Sequence, residues 1–342
     1  MNKGAKILYN LFKIRCNFMY KVLEVREEES GFNGYIEEKS VPKIDDGEVL
    51  LKVKYSSLNY KDCLSISGNK GVTRDYPHTP GIDAAGIVVE SKDQNFKSGD
   101  EVIVTGYDLG MNIAGGFAEY VKVPSDWVVK KPESLSLKQA MLFGTAGFTA
   151  ALAVSFLKEH FVSLDDKRIL VTGAAGGVGS IACLLLEREG VKLVVASRDE
   201  KSSFFADIKA NIINSKLLLE EHSKPLLSKN YDGAIDNLGG VVLENIVKQL
   251  DYQGMVCSCG NVVGVDVQNT VFPFILRGVT LRGVTSANTE MTLRSRIWQK
   301  ISNFQDWRKL EENTEEISLE QIVEKSKLML SGKHKGRFLV KL

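Results

Sequence analysis

A chain of 342 residues is long for one hydrophobic core and points to two domains. With 44% hydrophobic and 25% charged residues it has the make-up of a globular protein, and a formal net charge of +1 gives no electrostatic argument for nucleic acid or an anionic membrane. No apolar run approaches the ~20 residues that span a bilayer. Five scattered cysteines, Cys16, Cys63, Cys183, Cys257 and Cys259, without a secretory signal, suit free thiols in a reducing compartment, so a cytoplasmic location is expected.

Residues 1–18, "MNKGAKILYNLFKIRCNF", carry Lys3, Lys6, Lys13 and Arg15 and no acid. Charge interrupts the apolar residues and Ser is absent, which favours an upstream extension over a targeting segment. Met19 opens the first plausible strand, "MYKVLEV". From Tyr20 to about Val129 short β-type runs alternate with Gly, Pro and Asp, among them "VLLKVKYSSL", "AAGIVVES", "EVIVTG" and "FAEYVKV". This spacing predicts a strongly bent antiparallel sheet or partial barrel. Ser136 then begins an S-x-x-Q helix start, and the helix reading continues through "AMLFGTAGFTAALAVSFLKEH".

Strand and helix alternate beyond that point. "RILVTG", "KLVVAS", "YDGAIDNLG" and "GMVCSCG" read as strands, whereas "GGVGSIACLLLEREG", "DEKSSFFADIKA" and "GVVLENIVKQL" read as helices. Parallel neighbours need crossover helices, so this alternation predicts a doubly wound parallel sheet. The charged, mostly helical tail from about Ala287 ends in "GRFLVKL", a strand expected to return to the first domain. The domains are accordingly an extension at 1–18, a catalytic domain at 19–142, a nucleotide domain at 143–286 and a return at 287–342.

Between the first of these strands and its helix stands "VTGAAGGVGS". Aligned on its last glycine it reads A-x-G-x-x-G, with Ala174, Gly176 and Gly179. Gly176 lets the backbone approach a pyrophosphate, Gly179 allows close helix–strand contact, and the first position asks only for smallness. Ala175 lies inside the turn, and the N–H groups of Gly176, Gly177 and Val178 are the expected pyrophosphate donors. About 20 residues on, where an acidic residue favours NAD, the chain has Ser197 and Arg198, which suit a 2′-phosphate and hence NADPH. Asp199 is expected to cap the next helix.

Asn237 and Gly260 fall at carboxyl ends of predicted parallel strands, where open α/β sheets bind ligands. Cys257 and Cys259 form a C-x-C without a second half, which suits alternating strand positions better than a metal site. His78, His160, His222 and His334 are isolated, with no H-x-x-x-H spacing, so the chain reads as metal-free.

The stretches "SSLNYKDCLSISG", "PGIDAAGIV", "GTAGFTAALAV", "VTGAAGGVGS", "AIDNLGG", "FPFILRGVTLRGV" and "GRFLVKL" together resemble the acrylyl-CoA reductase and quinone oxidoreductase group of the zinc-independent medium-chain dehydrogenase/reductase family. The resemblance spans Met19 to Leu342. It implies a GroES-like, partly open β-barrel catalytic domain, a Rossmann domain inserted into it, NADPH as cofactor, and a homodimer pairing sheets through "FILRGVTLRG". It also implies reduction of the carbon–carbon double bond of a small 2-enoyl thioester. Where metal enzymes of the family begin their ligand set this chain has Asn59 and Tyr60, and Ile82 occupies the place of a ligand histidine.

Hydride addition to the β-carbon of an enoyl thioester leaves charge on the carbonyl oxygen, which needs donors placed in advance. Asn59 and Tyr60 are the candidates, and the Tyr60 phenol could contact the nicotinamide or donate a proton. The alternative for Tyr60 is a tyrosine packed in the cleft without chemistry. Asp83 is a candidate orienting group or, equally, a turn aspartate satisfying backbone donors. Thr145 could reach the nicotinamide phosphate side. Arg337 matches the family's terminal "GR" and is either a cofactor contact or a solvated charge. Two other functions stay open: a zinc-independent reductase of quinones or free enones, and a non-enzymatic NADPH-binding interaction protein.

Overall fold

The computed structural model describes residues 19–342, so the expected extension at 1–18, with Cys16, lies outside the described residues. Two compact units emerge, one of residues up to Thr145 together with Thr314–Leu342, the other of Ala146–Asn313.

The first unit is built on antiparallel strands. Met19–Glu28 (β1) and Gly31–Ser40 (β2) form a hairpin, with Met19 opposite Ser40. Glu48–Leu58 (β3), Asp83–Ser91 (β4), Glu101–Thr105 (β5), Tyr120–Pro124 (β6) and Val129–Lys130 (β7) follow. With Thr314–Ile317 (β14) and Arg337–Lys341 (β15) they make a sheet ordered β14-β15-β3-β4-β5-β7, and β6 also pairs with β3. Alternating aliphatic residues drive this: Val49, Leu51, Val53, Val102, Val104 and Val121 turn inward to one core. Three strands bond to β3: β4 along one edge, and β6 and β15 on successive halves of the other, β6 at Glu48–Lys52 and β15 at Tyr55–Leu58. Phe338 of β15 lies opposite Leu58 of β3, which anchors the C-terminus on the longest strand of the sheet. A short helix, Tyr60–Ile66 (α1), leaves the end of β3.

The helix expected after Ser136 is Leu137–Phe161 (α2). Its start is a reciprocal capping pair, with Gln139 N–H donating to Ser136 Oγ at 3.1 Å and Ser136 N–H to Gln139 Oε1 at 2.9 Å. α2 corrects the expectation that no apolar run nears bilayer length. Its 25 residues include an 18-residue window of mean hydropathy 1.8. That window is 83% buried, as in the core helix of a globular domain, and the helix breaks at Gly144 (φ 51, ψ −156).

In the second unit Arg168–Thr172 (β8), Lys192–Ser197 (β9), Ala210–Asn214 (β10), Tyr231–Asp236 (β11), Leu250–Ser258 (β12) and Thr280–Gly283 (β13) form one all-parallel sheet ordered β10-β9-β8-β11-β12-β13. This is the doubly wound order, with its switch point beside β8. Gly177–Glu187 (α3) and Gly240–Gln249 (α4) are crossovers, and α4 buries Val242, Ile246 and Val247 in one cluster with Leu170, Ala234 and Val256. The GroES-like barrel and the Rossmann sheet are therefore both present.

Three expectations need correction here. "DEKSSFFADIKA" forms only a 3₁₀ turn at Ser203–Phe205. Phe205 and Ile208 are its buried large apolar side chains, too little anchoring to offset helix nucleation. "FILRG" is helical, because Phe272–Arg277 forms a helix (α5) closed by Gly278 at φ 62, and the strand is β13 alone. The chain passes between units at Thr145 and Thr314, whereas the sequence reading puts these boundaries at 143 and 287. Met291–Ile301 (α6) and Trp307–Glu312 (α7) belong with the parallel sheet. They are tied there by Lys300 to Ser155 at 2.9 Å, Asp306 to Arg188, and Lys309 to Glu187 at 3.2 Å.

Candidate functional site

In the first unit, polar residues from three strands, the start of α1 and the break in α2 meet in one cluster. Asp83, the first residue of β4, is fully buried. Its Oδ2 accepts from Asn59 Nδ2 at 2.8 Å, from Thr145 N–H at 2.9 Å and from the Ser57 hydroxyl, while Oδ1 accepts from Thr145 Oγ1 at 2.6 Å. Asp62, also fully buried, accepts from Ile82 N–H and Asn59 N–H, both at 2.8 Å. The Asn59 amide nitrogen lies 3.3 Å from Asp62 Oδ2, so it stands between the two carboxylates. Burial pushes the Asp62 carboxyl up to about 7, and the Asp83 charge adds to the shift.

Arg337, on β15, is only 3% exposed, which excludes the solvated-charge alternative. Burial lowers it to about 10, against the opposing pull of Asp83 and Asp62. Among the described residues its Nε and Nη2 have no hydrogen-bond partner. Gly144 explains how these groups fit together. A Cβ there would fall on Ser57 Oγ, on Asp83 Oδ2 and within 3.1 Å of Arg337 Nη2, so glycine is required by space as well as by its positive φ.

Tyr60 differs from its neighbours: it is 38% exposed, at the first position of α1. The expected pair of donors therefore separates into two roles. The Asn59 amide is committed to carboxylates, and the Tyr60 phenol stays at the surface of its unit. Asp83 holds Ser57, Asn59 and Thr145 together, through three side-chain donors and through the Thr145 main-chain N–H at the break of α2. Asp62 and Ser57 escaped the sequence reading, although N-x-x-D within "LNYKD" is itself a capping pattern that marks Asp62.

In the second unit the expected residues gather at the carboxyl ends of the strands. A Cβ at Gly179 would strike the Gly173 carbonyl and lie 2.8 Å from Ala174 Cα, which makes glycine obligatory. Ala174 is fully buried, so smallness suffices there. Gly176 N–H is not a free donor, because it bonds Gly173 O at 2.9 Å within the turn that also holds Ala175. Gly177 and Val178 open α3, where N–H groups have no intrahelical acceptor. A narrow glycine turn feeding such a helix start fits a pyrophosphate.

Ser197 also changes role. It is 5% exposed, its hydroxyl donates to Asp199 O at 3.0 Å and accepts from Asp199 N–H at 3.1 Å, so it shapes the turn. Asp199 caps no helix. Its carboxylate instead accepts from Lys201 N–H at 3.2 Å. Arg198 is the exposed residue of the pair, at the tip of β9. Asn237 laces strand ends together, with Nδ2 donating to Thr172 O at 2.7 Å and Oδ1 accepting from Cys259 Sγ at 3.2 Å. Gly260 passes so close to Asn237 that a Cβ would lie 2.6 Å from its carbonyl carbon. Burial pushes the Cys259 thiol up, which keeps it a donor. Among the described residues no group of three or more His, Cys, Asp or Glu could hold a metal ion.

Two family models match, the alcohol dehydrogenase GroES-like domain over residues 45–133 and the zinc-binding dehydrogenase over residues 177–303. The chain is 38% identical to "Acrylyl-CoA reductase AcuI" of Ruegeria pomeroyi, covering 94% of this chain and 99% of that protein. It is equally 38% identical to "Putative quinone oxidoreductase YhfP" of Bacillus subtilis, covering 95% and 99%. The crystal structure of the YhdH oxidoreductase from Salmonella enterica in complex with NADP superposes with a TM-score of 0.90 at 35% identity, covering 94% of this chain and 99% of that one. Bacillus subtilis YhfP with NAD bound also gives 0.90, at 37% identity and 95% and 100% coverage. The barrel with its buried Asp83 cluster, the glycine turn on a doubly wound sheet and these likenesses lead to one assignment: the chain belongs to the medium-chain dehydrogenase/reductase family of oxidoreductases, in the group of acrylyl-CoA reductases and YhfP-type quinone oxidoreductases.

Proposed function

We propose that the protein is an NADPH-dependent reductase of the carbon–carbon double bond of a small 2-enoyl-CoA, acrylyl-CoA-like in size. The carrying observation is the 38% identity to an acrylyl-CoA reductase over nearly the whole of both chains. The exposed Arg198 at the tip of β9 supports NADPH, because a guanidinium suits a 2′-phosphate.

Bound NADPH supplies a hydride, which on this reading goes to the β-carbon of the enoyl thioester. Gly177 and Val178 would donate their N–H groups to its pyrophosphate. The Tyr60 phenol is the protein donor, to the enolate oxygen or to the α-carbon. Asn59, Asp62, Asp83, Thr145 and Arg337 act through position: Asp83 fixes Asn59 and Thr145, Asp62 fixes the start of α1 from which Tyr60 projects, and Arg337 supplies the compensating charge. Quinone reduction is the second reading, favoured by the equal identity to YhfP. NADPH oxidation with acrylyl-CoA, crotonyl-CoA and a benzoquinone side by side separates the two. Fast turnover of the thioesters supports the proposal, and fast turnover of the quinone alone overturns it.

The same reading makes the protein a homodimer. β13 is the edge strand of its sheet, and Leu281 on it and Val271, Phe272, Ile275 and Leu276 beside it are exposed. An uncovered apolar edge favours pairing with a second copy. Leu281→Glu should convert a dimer to a monomer in sedimentation, and a wild-type monomer would contradict the assignment.

A further inference from the structure

We propose that Arg294 is a positioning residue for the nicotinamide half of the cofactor, acting through the loop at residues 284–290; this rests on the reading above. The sheet topology supplies the first step. All six strands are parallel, so the turns after β8, β9, β11, β12 and β13 share one edge. With the pyrophosphate at the turn after β8 and the phosphorylated ribose at the tip of β9, the second nucleoside must extend the other way, over the ends of β11, β12 and β13. The 284–290 loop leaves β13 at that edge.

Its path is held by side-chain hydrogen bonds, with Arg294 at the centre. Val284 N–H continues the ladder to Ser258 O at 2.9 Å, after which the chain leaves the sheet. Arg294 Nη2 then donates to Ser286 O and to Ala287 O, both at 2.9 Å. Across a trans peptide the N–H points opposite to the carbonyl. Drawing both carbonyls onto Arg294 therefore turns the N–H groups of Ala287 and Asn288 away from it. Thr289 Oγ1 adds a bond to Thr285 O at 2.8 Å, and Glu290 closes the loop by capping α6 through Thr292 N–H at 2.9 Å and Leu293 N–H at 3.2 Å.

Arg294 is fully buried, one helical turn from the equally buried Trp298. Its guanidinium lies 5.1 Å from the centre of the Phe148 ring, and the Phe148 and Trp298 rings are 5.9 Å apart. Full burial and the Phe148 ring beneath it leave the guanidinium little freedom, so its donors meet the loop at a fixed place. Burying a cation is unfavourable, and an apolar side chain of similar length would fill the same volume without that cost. A fixed loop path is what the guanidinium adds.

The test compares the whole cofactor with its adenosine half, using NADPH and 2′,5′-ADP as probes. Arg294→Met should bind NADPH about tenfold more weakly, with the emission of bound NADPH shifted toward that of free NADPH, and should bind 2′,5′-ADP as the wild type does. Arg294→Lys keeps the charge but ends in a compact ammonium in place of the planar guanidinium that lies over the Phe148 ring, and should fall between. It carries the same test if Arg294→Met does not fold. Unchanged NADPH affinity and emission in a folded variant, or equal losses of NADPH and 2′,5′-ADP, would overturn the proposal. A wild-type protein that binds neither probe overturns the underlying functional reading instead, and its own titration tells that failure apart.

Discussion

Asp83 holds both polar groups of Thr145, the main-chain N–H at 2.9 Å and the hydroxyl at 2.6 Å. Thr145 follows Gly144, where α2 breaks and the first unit ends in sequence. A carboxylate from β4 thus fixes the residue at which the chain leaves that unit. Thr145→Val keeps the side-chain shape and removes the hydroxyl, and should cost about 1–2 kcal/mol because Asp83 loses a charge-assisted bond. Thr145→Ser should recover most of that. Urea midpoints at unchanged slope are the measure, and a Val variant as stable as wild type would show the hydroxyl to be idle.

Asp62 gives a pH signature. Its carboxyl is pushed up to about 7, above the unfolded value near about 4, so the folded state holds the proton more tightly. The sign follows: the contribution is complete below about pH 4 and is lost as pH rises through about 7. Asp62→Asn is neutral throughout and lacks this slope. The stability difference, wild type minus variant, should therefore fall between those limits in urea melts at stepped pH. Parallel curves would remove the raised carboxyl from the account.

Tyr60 is exposed beside the buried Asn59 and Asp62, and on the proposed reading it is the side chain that meets substrate. Tyr60→Phe should lower kcat by about a hundredfold or more if the phenol transfers the proton, with little change in stability. Unchanged turnover would leave it a packing residue.

Arg198→Ala should raise KM for NADPH on the order of tenfold while moving KM for NADH little. Equal effects on both cofactors would show that the guanidinium reads no 2′-phosphate. Ser197→Ala belongs in the same experiment as a control for the turn, since its hydroxyl is engaged with Asp199.

What was legible in the sequence is the part governed by periodicity and turn chemistry. Strand–helix alternation gave the parallel sheet, and A-x-G-x-x-G placed the turn where Gly179 meets Gly173. Local pattern misled where a segment has few buried anchors: "DEKSSFFADIKA" has helix-like composition yet is held by little more than Phe205 and Ile208. Long-range contact is what no local pattern carries. Arg337 and Asp83 are distant in sequence, and only the return of β15 onto β3 puts the guanidinium among the carboxylates. Gly144 looks like one more small residue in "GTAGFTA", and its necessity appears only once Ser57, Asp83 and Arg337 surround it. The assignment of 287–313 to the returning segment failed for a similar reason, because its charged residues pair with α3 far upstream.

The reaction itself can be followed by isotope. Wild-type protein is given NADPH deuterated at nicotinamide C4 on the transferred face, with acrylyl-CoA in ordinary water, and the acyl product is read by mass and NMR. One deuterium at the β-carbon of propionyl-CoA, and an ordinary hydrogen at the α-carbon, is the expected result. Oxidation of the cofactor without deuterium in any acyl product would contradict enoyl-CoA reduction as the function of this protein.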